Sequence, residues 1–182
     1  ERLYYSYERE PLAQQLKREF GDDTLMGTER LRTLLMVVTR NATTDSPWPI
    51  TNNPFAAYNS TTLDDCNLKL PLWQVLRAST AAPTYFPPER VKIGGKTFMF
   101  VDGGVTTYNN PALLAFATAT AQPYAVNWKT GEDEMLIVSL GCGHTAVVRD
   151  DTSTLGPHVL GNAVGVIGAL MNAATAGQDL MC

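Results

Sequence analysis

The chain has few of the side chains on which most metal and nucleophilic sites depend. It contains two histidines and three cysteines among 182 residues. Cys66, Cys142 and Cys182 are odd in number and far apart, so the sequence predicts free thiols rather than a disulfide framework or a Cys-x-x-Cys site. With two histidines, general-base chemistry would depend mainly on carboxylates. These counts favour a site without a metal ion.

Clusters of basic residues are also missing. Fourteen Lys and Arg stand against 18 Asp and Glu, which leaves a net charge of −4. No basic block is available to bind a phosphate backbone, so nucleic acid is not expected as a partner. Residues 152–178 carry no formal charge and are long enough to span a membrane. Glycines and polar residues interrupt this stretch, so we expect a helix packed on its own protein, and the cytoplasm and the cell exterior both remain open as locations.

The rest of the chain reads as alternating helices, strands and loops. Leucines and a phenylalanine recur every four residues before Gly21, which predicts an amphipathic helix that ends there. A polar, proline-containing stretch with scattered aromatic residues predicts one long loop. The predicted elements are a helix at 7–20, a strand at 31–39, a loop at 40–67, a helix at 71–82, a strand at 135–140 and the apolar helix within 152–178.

The chain is organised around the stretch that leads into Asp102. Residues 97–101 are aromatic, β-branched or Met, which predicts a short strand buried on both faces that ends at this carboxylate. Gly103 and Gly104 are expected to adopt backbone conformations that other residues cannot adopt. Because they lack side chains, they are also expected to leave room beside the carboxylate. Asn110, followed by proline, predicts the start of an apolar helix that should be buried all round.

Two interpretations of Asp102 follow from these residues. It either caps its own turn, or it is a catalytic carboxylate at a sheet edge where ligands bind. The Gly-x-Ser-x-Gly elbow of a nucleophilic serine does not occur in the chain. Ser79 at a helix end and Ser139 inside a strand are interpreted as structural. A self-contained hydrolase could still be drawn from Ser79 or Cys142 as nucleophile with His144 as base.

Three blocks of this sequence together resemble the second half of a patatin-like phospholipase domain. They are LRASTAAPTYFPP at 76–88, FVDGGV at 100–105 and the Asn-Pro pair at 110–111. The apolar segment 135–140 falls where that family has its next core strand. The resemblance therefore predicts that residues 1–182 are the C-terminal portion of one such domain.

The resemblance implies a three-layer α/β/α fold, here incomplete, and a Ser-Asp dyad that hydrolyses acyl esters of lipids without a cofactor. Asp102 would be the catalytic base, with Gly103 and Gly104 completing its motif. The implied partners are a lipid ester, a membrane surface contacted transiently, and the N-terminal remainder of the domain. Neither the serine elbow nor the family's glycine-rich oxyanion loop is present, so this chain alone is expected to be inactive.

Two further expectations complete the sequence-based interpretation. The chain begins at Glu1 without a methionine and ends directly after a helical pattern, so we expect a piece of a longer protein. The loop at 40–67 is a candidate wall or lid for an acyl chain. The alternative function is a non-catalytic domain that keeps the scaffold to bind lipid or a protein partner.

Overall fold

The computed structural model describes residues 5–143 and 159–181, which contain helices and one β-sheet. The helices are α1 (Arg9–Phe20), α2 (Leu72–Ser79), α3 (Ala112–Thr120) and α4 (Val159–Met181), and the strands are β1 (Met36–Asn41), β2 (Ser46–Thr51), β3 (Glu89–Ile93) and β4 (Lys96–Asp102). Short 3-10 turns lie at Asn67–Lys69, Gly103–Val105 and Gln122–Tyr124.

The four strands form one antiparallel sheet in the order β2-β1-β4-β3. Two hairpins, β1–β2 and β3–β4, are joined side by side where β1 pairs with β4. In that pairing Thr39 lies opposite Asp102, and Asn41 lies opposite Phe100. Asp102 is therefore the last residue of a central strand and is held against the other central strand.

The main core lies between α2 and one face of this sheet. Val75 and Ala78 of α2 are buried with Phe100 of β4 and Val37 of β1. The ring of Trp48 on β2 meets Phe100 at 5.5 Å between centroids in an edge-on arrangement. Burial of this apolar surface is the main stabilising contribution to the fold, and it places the C-terminal end of α2 beside the end of β4.

The amino-terminal helix α1 is attached to α2 and β3 through a buried acid. Glu89 is fully buried, and its two carboxylate oxygens accept hydrogen bonds from Arg9 Nε at 2.8 Å and Nη2 at 2.6 Å. Gln74 of α2 donates a third hydrogen bond at 3.0 Å. A buried carboxylate must be paired in this way, so α1 is held in one position against the sheet.

Helices lie on both faces of the sheet. On the face opposite α2, the hydroxyl of Thr118 in α3 approaches the sulfur of Met36 in β1 at 3.8 Å. The combination of helices with this sheet confirms the α/β class. The predicted helix before Gly21 is also confirmed: α1 ends at Phe20, and Gly21 has φ of +90° and caps it.

The predicted loop at 40–67 is wrong in its first part. Its first two residues finish β1, and β2 follows after a tight turn. Because this strand contains Pro47 and Pro49, its sequence resembles that of a loop. Proline is tolerated there because β2 is an edge strand. β1 begins at Met36, five residues after the predicted start at 31, and β3 was not predicted.

Segment 135–140 is not a strand, contrary to the sequence-based expectation. A strand requires a hydrogen-bonded neighbour, and none of the described strands pairs with it. Leu136 and Leu140 are 86% and 93% exposed. The expectation that α3 is buried all round is wrong as well, since only Ala112 and Leu114 of that helix are buried.

The C-terminal helix α4 docks on the loop that follows β4. Gln178 Nε2 donates to the Thr107 carbonyl oxygen at 3.2 Å, whereas Val166 and Leu170 are largely exposed. Residues 152–158 of the predicted apolar helix lie outside the described residues. No helix in the described part of the chain has the length and apolar character needed to cross a membrane.

Candidate active site around Asp102

Asp102 is held at the end of β4 by contacts to its own turn and to the end of α2. Its backbone N–H donates to the Ala81 carbonyl oxygen at 3.1 Å. Its Oδ1 accepts the Gly104 N–H at 2.7 Å, so the carboxylate caps the 3-10 turn Gly103–Val105. The turn-capping interpretation of Asp102 is therefore correct, but it uses only one of the two carboxylate oxygens.

Residue 103 must be glycine because there is no room for a side chain, and not because of its backbone dihedral angles. A Cβ atom at this position would lie 2.2 Å from the Val38 carbonyl oxygen, which no side chain can accommodate. Neither Gly103 nor Gly104 has a positive φ, so the expectation of a turn closed to other residues by its dihedral angles is wrong. The close approach of the turn to β1 is the reason for glycine here.

Gly104 opens a small space in which three groups meet. A Cβ atom there would lie 2.9 Å from Asn109 Oδ1, 2.9 Å from Met171 Cε and 3.0 Å from Asp102 Oδ1. The methyl group of Met171 in α4 therefore sits next to the turn that carries the acid. A side chain at residue 104 would push the helix or the carboxylate away.

Asn109 connects this turn to α4. Its side-chain amide donates to the Met171 carbonyl oxygen at 3.2 Å and to the Thr175 hydroxyl at 2.9 Å. The Met171 carbonyl oxygen also accepts the Thr175 hydroxyl at 3.1 Å. Together with the Gln178–Thr107 hydrogen bond, these contacts attach α4 to the loop that follows the Asp102 turn.

Burial raises the pKa of the Asp102 carboxyl above its ordinary value, because low-dielectric surroundings disfavour the charged form. The hydrogen bond from Gly104 stabilises the carboxylate and acts in the opposite direction, but it is the smaller effect. A raised pKa makes the carboxylate a stronger base than a solvent-exposed aspartate. The side chain is therefore suited to accepting a proton from a neighbouring hydroxyl.

Among the described residues, neither candidate serine hydrogen-bonds to Asp102. Ser79 Oγ donates to the Val38 carbonyl oxygen at 2.7 Å, and Ser139 Oγ donates to Asn110 Oδ1 at 3.3 Å. Cys142 is an exposed free thiol, and Cys66 is a buried one. His144 lies outside the described residues, as does Cys182. The Val38 carbonyl that accepts the Ser79 hydroxyl proton also lies close to Gly103, so Ser79 lies near the turn.

Several residues of this site were missed by the sequence analysis. Thr39 and Asn109 were not singled out, and the contacts between Asn109 and α4 span more than 60 positions of the chain. No local pattern carries that information. Asn110 was predicted correctly as a helix start, since its Oδ1 accepts the Ala112 N–H at 3.1 Å.

No group of three or more His, Cys, Asp or Glu side chains with a suitable arrangement occurs within residues 5–143 and 159–181. Among the described residues, one Asp102 carboxylate oxygen is hydrogen-bonded and the other has no partner.

Comparison with known proteins agrees with this geometry. The sequence profile described as Patatin-like phospholipase matches residues 5–116, a range that includes Asp102 and its turn. Patatin-1-Kuras 2 and Patatin-08 from Solanum tuberosum are each 34% identical over 110 residues, which is 53% of this chain. Patatin-T5 from the same organism is 33% identical over the same length. The chain spans 28% of the length of Patatin-1-Kuras 2. By the extent of the profile match, this chain belongs to the patatin-like phospholipase family.

Proposed function

We propose that this chain supplies the general base, Asp102, of a Ser-Asp dyad in a lipid acyl hydrolase whose nucleophilic serine lies outside the 182 residues. The observation that carries the proposal is that only one of the two Asp102 carboxylate oxygens is hydrogen-bonded among the described residues. Oδ1 is fixed by the Gly104 N–H, while Oδ2 accepts no hydrogen bond from the described part of the chain. A serine hydroxyl that approached within hydrogen-bond distance of Oδ2 would complete the dyad.

The electrostatics of Asp102 support this role. An ordinary aspartate is a weak base at neutral pH because its pKa is near ~3.9. Burial raises the pKa of Asp102 and so increases its affinity for a proton. A carboxylate of this kind can serve a serine without a histidine relay.

The proposed reaction proceeds in two steps. The serine Oγ attacks the ester carbonyl while its proton passes to Asp102 Oδ2, and the leaving alcohol then takes that proton as the acyl-enzyme forms. In the second step a water molecule transfers a proton to Asp102 and attacks the acyl group, which releases the fatty acid and restores the serine. Each step returns the carboxylate to its ionised form.

A division of the site between two parts of the domain follows from this proposal. The nucleophile and the oxyanion donors would come from the N-terminal remainder, and the substrate would be a lipid ester taken from a membrane surface during transient contact. The chain by itself would then be inactive as an esterase.

The test restores the missing part of the domain and then removes the base. We expect the completed domain to hydrolyse a p-nitrophenyl fatty-acid ester and to react with a fluorophosphonate, and this chain alone to do neither. Asp102→Asn in the completed domain should lower kcat by about 100-fold or more, in the range of general acid-base catalysis. Mass spectrometry should locate the fluorophosphonate on a serine outside residues 1–182.

A matched control is Asp133→Asn, which changes an exposed carboxylate far along the chain from the turn. It should leave kcat unchanged, and circular dichroism should show that both variants remain folded. Retained turnover by the Asp102→Asn variant, or a label on Ser79 or Ser139, would contradict the proposal. A completed domain that folds, lacks turnover and takes no label would instead be a non-catalytic relative.

A further inference from the structure

A cavity lies on the sheet face that carries Phe98, away from Asp102. It measures about 810 Å³, within the size range of small-molecule sites. Its floor comes from Trp48 and Ile50 of β2 and from Phe98 of β4, and the loop at 58–67 forms its outer wall. We call it the aromatic cavity.

The aromatic cavity is separate from the proposed dyad. Phe98 lies four residues before Asp102 on β4, a distance of about 13 Å along a strand. Phe100, between them on the same face, is fully buried beneath α2. A small ligand in the aromatic cavity would therefore not contact the carboxylate of Asp102.

Three aromatic rings from different elements surround this space. Trp48 and Phe98 are half-buried, and their ring centroids are 5.1 Å apart with planes inclined by 49°. The Trp48 indole N–H donates to Ser46 Oγ at 3.2 Å, which orients the indole ring. Tyr58 lines the cavity from the loop and is exposed. The face of an aromatic ring carries negative charge density that attracts an organic cation.

The loop that carries Tyr58 is closed and anchored. The Asn67 N–H donates to the Tyr58 carbonyl oxygen at 2.9 Å, so the two ends of the loop are joined. Asp65 packs against the β3–β4 turn, where a Cβ atom at Gly94 would lie 3.4 Å from the Asp65 Cβ. Gly94 has φ of +59°, a conformation that favours glycine. The wall of the aromatic cavity is thus held in place before any ligand binds.

The rim of the cavity carries acidic and basic side chains that form no ion pair with other described residues. The cavity is lined by Asp64, Asp65 and Lys96. None of the three takes part in a salt bridge or side-chain hydrogen bond within the described residues. A cation beside the two carboxylates and an anion beside Lys96 would each gain a partner.

We propose that the aromatic cavity binds a phosphocholine group, with its quaternary ammonium between the aromatic rings and the two carboxylates and its phosphate on Lys96. Quaternary ammonium cannot donate a hydrogen bond and is held by ring faces and nearby negative charge. The phosphate needs only a point charge such as the ammonium of lysine supplies. The proposal is independent of the Ser-Asp dyad, because it uses none of the residues around Asp102.

The test measures binding of soluble phosphocholine, choline and inorganic phosphate to the full chain by calorimetry and by NMR of the Trp48 indole N–H. Phosphocholine should bind at millimolar concentrations and shift that resonance, choline should bind more weakly, and phosphate alone should not bind measurably. Tyr58→Leu should weaken phosphocholine binding about threefold. The pair Asp64→Asn and Asp65→Asn together should weaken it about fivefold.

Lysine variants distinguish binding of the phosphate group from binding of the choline group. Lys96→Gln should weaken phosphocholine and leave choline unchanged, whereas Lys92→Gln, on the opposite face of the same hairpin, should alter neither. Asp102→Asn should also bind phosphocholine normally, so the failure of the dyad proposal and the failure of this one are distinguishable. Equal affinity for choline and phosphocholine, or insensitivity to Tyr58→Leu and the Asp pair, would overturn the proposal.

Vesicle binding shows whether the phosphocholine group comes from a lipid headgroup or from a free phosphocholine ester. Co-flotation with phosphatidylcholine vesicles, but not with phosphatidylglycerol vesicles, would assign the site to a lipid headgroup, provided that Tyr58→Leu reduces it. Binding of soluble phosphocholine without flotation would assign it to a free phosphocholine ester. Binding of neither form would contradict the inference.

Discussion

Gly103 and Val38 are in backbone contact so close that a Cβ atom on residue 103 would lie 2.2 Å from the Val38 carbonyl oxygen. The same oxygen accepts the Ser79 hydroxyl at 2.7 Å. The turn after Asp102, the end of α2 and strand β1 therefore converge on one carbonyl group. Neither partner in the Gly103 contact can rotate away, because both are main chain.

We predict that Gly103→Ala destabilises the protein by about 3 kcal/mol, since the added methyl group must displace β1 or the turn. Urea unfolding followed by circular dichroism measures the free energy. Gly95→Ala is the matched control, because a Cβ atom at Gly95 would meet no atom within 4 Å. Equal stability of the two variants would show that the turn does not approach β1 as described.

Asp102 should make the protein less stable as pH rises. Its folded-state pKa lies above the ordinary value, so between these two values the folded state binds more protons than the unfolded state. Stability conferred by the protonated form is present at low pH and is lost as pH rises through the folded-state pKa. Asp102→Asn, which keeps an oxygen for the Gly104 N–H, should therefore be more stable than the wild type at pH 7.

The measurement for Asp102 is the free energy of unfolding of both proteins across the acidic range. The difference in favour of Asp102→Asn should shrink as pH falls below the ordinary aspartate pKa and the wild-type carboxyl becomes neutral. Asp133→Asn should show no such pH-dependent gain. A wild type more stable than Asp102→Asn at pH 7 would indicate that the carboxylate is stabilised, rather than disfavoured, by its surroundings.

We predict that Arg9→Met destabilises the fold by about 2 kcal/mol, because it leaves the fully buried Glu89 without its charged partner. The value is reduced from that of a fully buried pair because the Arg9 side chain is 34% exposed. Asp22→Asn breaks the exposed pair with Lys17 and should cost less than about 0.5 kcal/mol. Similar losses from the two variants would argue against a special role for Glu89.

Asn109→Ala should loosen α4 without unfolding the sheet. The variant loses two hydrogen bonds to that helix, and hydrogen exchange of α4 amides should reflect a local loss of about 1–2 kcal/mol. Thr175→Val removes one of the two bonds and should have a smaller effect in the same direction. Unchanged exchange in α4 with Asn109→Ala would show that the helix is held by other contacts.

The position of Asp102 was predictable because the information is local. An apolar run followed by Asp-Gly-Gly predicts a strand that ends at a carboxylate, and β4 ends there. The prediction that this strand is buried on both faces was wrong, since Met99 is 38% exposed whereas Phe100 is fully buried. One face of β4 is covered by α2, and this pairing is not visible in residues 97–101 themselves.

Elements that depend on distant partners were not predictable in the same way. The prolines of β2 are normal at a sheet edge, but they resemble loop residues until the edge position is known. Segment 135–140 has strand composition without a strand neighbour among the described residues, so composition alone gave the wrong assignment. Contacts of Asn109 to α4 are likewise invisible in local sequence.

The place of Met171 beside Gly104 means that a helix some 70 positions downstream covers part of the turn that holds Asp102. If α4 were undocked, the carboxylate would be rehydrated and its proton affinity would fall toward that of a free aspartate. The basicity of the acid is therefore coupled to the docking equilibrium of α4. A proton at Asp102 and a docked helix favour one another, so each shifts the population of the other.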